Sequence, residues 1–200
     1  MTRFEEVLHH LGDRVDLHAR LINTLSLLEY IGARKIMKSQ MDYSMNLELL
    51  SHITEEIRHA QILKVLALRL SDQALDTYSD SHLLAGLDGK RYIQKVDHAV
   101  EAALSDVLPT QKEVGYYLVT TLLIEERAAE VYPVYDRFLE QFNLVGKLSS
   151  IVRDEDKHLQ AVTQRIQKLL PQAKSRMTHL REIESHAFDD FMNAAITFSL

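Results

Sequence analysis

Apolar residues return every three to four positions along most of this chain, the spacing of helices with one buried face. Val15, Ile22, Leu25, Leu28 and Ile36 define a first long helix over 13–38. Leu49, Ile53, Ala60, Leu63, Leu66 and Leu70 define a second over 44–70, with Arg58, Lys64 and Arg69 left for solvent. The stretch 71–90, SDQALDTYSDSHLLAGLDGK, is rich in Ser, Asp and Gly and breaks the pattern, which predicts a long connection. A shorter helix over 92–107 stops before Pro109, because the residue ahead of a proline is pushed out of helical geometry. A third long helix over 112–141 carries Val119, Leu122, Leu123, Ala129 and Val134, with Pro133 set to kink it. After a break near Asn143 a fourth runs over 144–170 and ends at Pro171. A fifth, over 176–198, aligns Leu180, Ile183, Ala187, Phe191 and Ala195; it packs across the others or makes a subunit contact, so a homodimer is a candidate assembly.

Two hairpins of similar length joined by a long crossover predict an all-α fold, an antiparallel four-helix bundle with an additional C-terminal helix, in a single domain over 1–200. Only 6 Gly and 3 Pro interrupt the helices, and 200 residues at 46% hydrophobic enclose a core that needs no covalent or metal staple. The chain has no cysteine, which excludes disulfides, thiolate ligands, iron–sulfur clusters and cysteine nucleophiles; any metal must be held by nitrogen and oxygen. A net charge of −6 with scattered basic residues argues against nucleic acid as a partner. The charged N-terminal stretch and the lack of any long apolar run predict neither an export signal nor a membrane span, and a cytoplasmic location follows as the default.

Glu56-Ile57-Arg58-His59 and Glu155-Asp156-Lys157-His158 are both Glu-x-x-His, and residues three apart on a helix share a face, so each pair can address one metal. The motif alone is weak, since Glu6 and His9 also match it. What sets the other two apart is an acidic partner one helix earlier: Glu29 precedes Glu56, and Glu126 precedes Glu155, by nearly the same interval, whereas Glu6 has no such partner. Glu29 falls on the stripe Ile22, Leu25, Gly32, Ile36, and Glu126 on the stripe Val119, Leu122, Ala129, Pro133, so both face the core. The adjacent Glu125 takes that place if the helix phase shifts by one residue. Four buried carboxylates cost several kcal/mol each unless a strong cation compensates them, and two divalent metals neutralise four. Gly32, Ala33, Ala128 and Ala129 leave room for metals, dioxygen or a substrate, or ease helix packing.

These segments resemble the di-iron carboxylate branch of the ferritin-like superfamily over roughly 15–170. Glu55-Glu56-Ile57-Arg58-His59 and Asp154-Glu155-Asp156-Lys157-His158 are similar to the E-E-x-R-H and D-E-x-R-H segments of soluble acyl carrier protein desaturases, with Lys157 as the departure. The segments 123–127 and 152–159 resemble the second half of aldehyde-deformylating oxygenases. The resemblance implies that Glu56 and Glu155 bridge the metals, that Glu29 and Glu126 are terminal, and that Glu55 and Asp154 accept the imidazole N–H of the opposite pair. Among the remaining residues, His52 supports Glu56 or simply packs, and Glu130 makes a surface ion pair or adds a carboxylate. Tyr30, Tyr116, Tyr117 and Tyr132 pack, line a cavity or take part in redox steps, and His9, His10, His98, His179 and His186 are surface or packing residues.

Mixed imidazole and carboxylate donors suit two Fe ions, with Mn or a mixed Fe/Mn pair as alternatives. The leading expectation is an oxygenase or oxidase that uses dioxygen to oxidise a small or lipid-like organic substrate. Without cysteines to hold a redox centre, its electrons come from an external donor such as a ferredoxin or reductase. Iron oxidation and storage is the second expectation, and a helical interaction protein with a structural metal the third.

Overall fold

A computed structural model describes residues 1–39, 45–72, 74–106, 109–144, 146–170 and 174–199. The chain is all-helical, with seven α-helices and no strand among the described residues. The helices are α1 (Arg3–Leu11), α2 (Val15–Ser39), α3 (Leu47–Leu70), α4 (Gly86–Ala103), α5 (Pro109–Phe138), α6 (Ser149–Leu169) and α7 (Lys174–Thr197). No helix of the described residues is long and apolar enough to cross a membrane.

Residue pairs give the helix directions. Ser26 Oγ of α2 donates to the Ala60 carbonyl of α3 at 2.6 Å, while further along α2 Gly32 faces Glu56. Rising numbers on one helix thus meet falling numbers on the other, and the two are antiparallel. In the same way Gly115 of α5 abuts Leu170 beyond α6, while Asp136 accepts from the Leu148 N–H at 2.9 Å. α4 and α7 form a third antiparallel pair: Tyr92 donates to Glu184 at 2.7 Å and Arg176 reaches Asp106 at 2.7 and 2.8 Å. Arg127 of α5 ties this pair inward by donating to Glu184 at 2.9 and 2.7 Å, with its guanidinium 4.2 Å over the Phe188 ring.

Several expectations change. Residues 3–11 form α1, which the sequence pattern had not marked. Thr2 caps it by accepting from the Glu5 N–H at 3.2 Å while Glu5 accepts from the Thr2 N–H at 2.7 Å. Phe4, Val7, Leu8 and Leu11 are fully buried, each contributing about 2 kcal/mol of apolar transfer free energy. The connection after α3 ends earlier than expected, at the start of α4 at Gly86, and hydrogen bonds from α2 pin it. Asn23 donates to the Thr77 and His82 carbonyls at 3.1 and 2.9 Å, Thr24 to Leu84 at 2.8 Å, and Arg20 to Leu83 at 2.7 Å, so α2 satisfies the backbone of the crossover. α5 runs unbroken through Pro133. Asn143, in the left-handed region at φ 59°, ends the short 3-10 turn Leu139–Phe142 and makes the expected break. α7 buries Met177, Leu180, Ala187, Phe188, Phe191 and Met192 within its own chain, which settles the choice between packing and a subunit contact for that face. The start of the second long helix at Ser44 and its preceding turn, and the stop at Pro171, lie outside the described residues.

Candidate metal centre

The site is assembled from four helices. α3 presents Glu56 and His59 one turn apart, α6 presents Glu155 and His158 at the same spacing, α2 adds Glu29 and α5 adds Glu125. Two overlapping groups result. His52, Glu56, Glu125 and His158 each offer a ligand atom within 4.8 Å of the others, and so do Glu29, Glu56, His59 and Glu155. Glu56 belongs to both groups, as a bridging carboxylate requires. Glu155 spans them too, with one oxygen 3.0 Å from His59 Nδ1 and the other 3.1 Å from His158 Nδ1.

Glu126 does not join this cluster. Arg181 of α7 binds both of its oxygens, at 2.8 and 2.6 Å, on a partly exposed surface. The neighbouring Glu125 is buried and points inward instead, 3.3 Å from His52 and 3.4 Å from His158. The stripe that faces the cluster is therefore Thr121, Glu125, Ala128, Tyr132. The apolar pattern misplaced it because residues 117–123 are buried on every side of α5, which leaves no polar face to fix the helix phase.

An acidic side chain from the opposite helix lies beside each imidazole. Glu55 accepts from His158 Nε2 at 2.8 Å, leaving Nδ1 for the cluster. Asp154 lies 3.6 Å from His59 Nε2 and accepts from Arg58 at 2.5 Å and Lys157 at 3.1 Å. Burial alone would raise the Asp154 carboxyl, but Lys157 and then Arg58 outweigh it and hold it at about 2. Glu55 thus holds the imidazole of the opposite Glu-x-x-His pair, whereas Asp154 lies beyond hydrogen-bond distance of His59 and is held by Arg58 and Lys157 instead.

Electrostatics mark the cluster as short of cations. Burial, then repulsion from Glu155 and Glu29, raises Glu56 to about 7 in spite of its bond to His52. Burial also raises Glu125 and Glu155, and the charge of a neighbouring carboxylate, Glu56 for the first and Glu125 for the second, adds to it. Burial works against the His59 and His158 cations, yet the surrounding carboxylates lift both to about 11. Neither ring nitrogen of His59 makes a hydrogen bond, although the ring is fully buried among carboxylates. An orphaned imidazole in an oxygen-rich cradle fits divalent metal ions. A Cβ on Gly32 would sit 3.2 Å from Glu56 Oε2, so the glycine makes room for that carboxylate.

Beside the cluster lies a cavity of about 120 Å³. Glu29, Glu56, Glu125 and His52 form one wall, and Leu28, Ile93, Ile124, Val131, Phe188 and Phe191 make the rest largely apolar. Tyr132 lines it and donates to Glu29, Tyr117 hydrogen-bonds His52 at 2.8 Å, and Tyr116 donates to Asp97 at 2.8 Å beside Lys35. Tyr30 is exposed and stacks on Tyr78 away from the cluster. Glu130 pairs with Arg127 at 2.5 Å, and His9, His10, His98, His179 and His186 are exposed. His52, expected one turn before Glu56 to support it or simply pack, stands inside the cluster, 3.0 Å from Glu56 and 3.3 Å from Glu125. No known protein family matches this chain, and neither does any curated protein or solved structure.

Proposed function

We propose that Glu29, Glu56, His59, Glu125, Glu155 and His158 hold two metal ions, iron before manganese, at the centre of a ferritin-like antiparallel four-helix bundle formed by α2, α3, α5 and α6. On this reading the protein is an oxidoreductase that uses dioxygen to oxidise or hydroxylate an organic substrate seated in the adjoining cavity. The observation that carries the proposal is the fully buried His59 ring, unbonded at both nitrogens among carboxylates that open onto an apolar cavity.

When bound, the metal pair supplies electrons and Lewis acidity for dioxygen reduction, and an external donor restores its reduced state. The chain's own residues do the rest. Glu56 and Glu155 set the spacing of the two positions, and Glu55 fixes the tautomer of His158 so that its Nδ1 lone pair faces inward. The apolar wall from α4 and α7 keeps water from the reacting carbon and favours a substrate with an apolar body. Iron storage would use the same ligands but has no need of such a cavity.

The test is metal content by plasma mass spectrometry on protein grown with iron, followed by Fe(II) reloading and an oxygen electrode. The reading expects about two irons per chain, and oxygen uptake that continues only with a reductant and rises with an apolar substrate. Uptake that stops when Fe(II) is exhausted and leaves a growing ferric deposit would point to storage. Glu56→Ala and Glu155→Ala should lose the paired metal and Glu6→Ala should keep it; equal loss from all three would sink the ligand assignment.

A further inference from the structure

We infer that His52 is a seventh protein ligand, and that it makes the two halves of the metal centre unlike: one with two imidazoles, the other with one and more carboxylate. This rests on the two-metal reading above. His52 Nε2 lies 3.0 Å from Glu56 Oε1 and 3.3 Å from Glu125 Oε1, in the same group of donors as His158, whose ring centroid is 4.1 Å away. Its other nitrogen is held by the Tyr117 hydroxyl at 2.8 Å. When the phenol oxygen accepts from Nδ1–H, the Nε2 lone pair is left aimed at the cluster, the orienting part that Glu55 plays for His158.

The asymmetry is written into the sequence. His52-x-x-x-Glu56-x-x-His59 places three donors on one face of α3, one turn apart each time. On α6 the position one turn before Glu155 is Ile151, fully buried and without a donor. The two Glu-x-x-His helices are therefore not equivalent. One half-site draws on His52, His158, Glu125 and Glu56, the other on His59, Glu29, Glu155 and Glu56. Imidazole favours later divalent metals such as Fe, Co and Zn, whereas carboxylate favours Mn. The His52 half fills first with Co(II) or Fe(II), and a mixture of Fe and Mn sorts with iron beside His52.

Co(II) is the probe, added to the full metal-free chain and followed by its visible absorption and by calorimetry. Wild type is expected to bind two Co(II) in two steps separated by about tenfold or more in affinity. X-ray absorption of the loaded protein should count three imidazoles per metal pair. His52→Ala should weaken the first step by about 100-fold, the upper end of what disturbing a metal's surroundings costs, and reduce the imidazole count to two. His52→Gln keeps an amide N–H for Glu56 and Glu125, so a residue acting only as a hydrogen-bond donor would leave both readouts at the wild-type value; loss in the Gln variant as well supports ligation. Two equal steps in wild type, or an imidazole count of two, would overturn the inference and leave the two-metal reading standing. Failure of wild type to bind Co(II) at all would overturn both.

Discussion

A helix turns by about 100° per residue, so Glu125 and Glu126 leave α5 in directions that take one into the carboxylate cluster and the other to Arg181. The two make a controlled comparison. Glu125→Ala removes a buried donor and should lower the metal content of protein loaded with Fe(II) from about two per chain towards one. Glu126→Ala breaks a partly exposed ion pair, costing about 1 kcal/mol or less, and should leave the metal content unchanged. Mass spectrometry of the loaded variants decides between them, and the reverse pattern would return the site to Glu126. The grouping was legible here from motif and spacing: Glu29, Glu56, His59, Glu155 and His158 fall into the two overlapping sets of donors as the Glu-x-x-His pattern suggested. The single-residue phase of α5 was not legible, because its segment 117–123 is buried all round and presents no contrast between faces.

Among the elements, α2, α3, α6 and α7 announce themselves by apolar periodicity, whereas α1 does so by its cap. Thr2 and Glu5 form a reciprocal capping box, and Phe4, Val7, Leu8 and Leu11 then follow at helical spacing. The signal was present in the sequence but short, and a helix of this length is held by packing rather than by propensity. Its capping bonds are correspondingly exposed to test. Thr2→Ala should cost about 1 kcal/mol in denaturant unfolding and Thr2→Ser little. Equal stability of all three proteins would mean that α1 is held by its apolar face alone. The crossover was legible as a connection, but what orders it was not. The groups that order it belong to the flanking helices, Lys64 to α3 and Arg20, Asn23 and Thr24 to α2, and those on α2 lie far from it in sequence.

At the scale of the whole molecule, His18 makes one definable contribution to stability that is lost on mild acidification. It is fully buried, with Nε2 3.0 Å from the Gly12 carbonyl and Nδ1 3.1 Å from the Tyr135 hydroxyl. Burial lowers its pKa from 6.5 to about 4, against a smaller opposing pull from the Gly12 carbonyl. The unfolded chain therefore takes up a proton below pH 6.5 that the folded chain refuses. The contribution is whole above that value and disappears as pH falls towards 4, a change of about 3 kcal/mol. Urea unfolding of wild type and His18→Gln at pH 7.5 and 4.5 should show a steeper acid loss in wild type, and parallel losses would discount His18. The carboxylate cluster has a wider consequence. A chain optimised for persistence alone would fill the space between α2, α3, α5 and α6 with leucine, as buried charges replaced by well-packed apolar residues often make proteins sturdier. Variants with the whole set, Glu29, Glu56, His59, Glu125, Glu155 and His158, turned apolar together are thus candidates for a hardier and inert scaffold, in which resistance to heat is gained at the expense of whatever the acids are kept for.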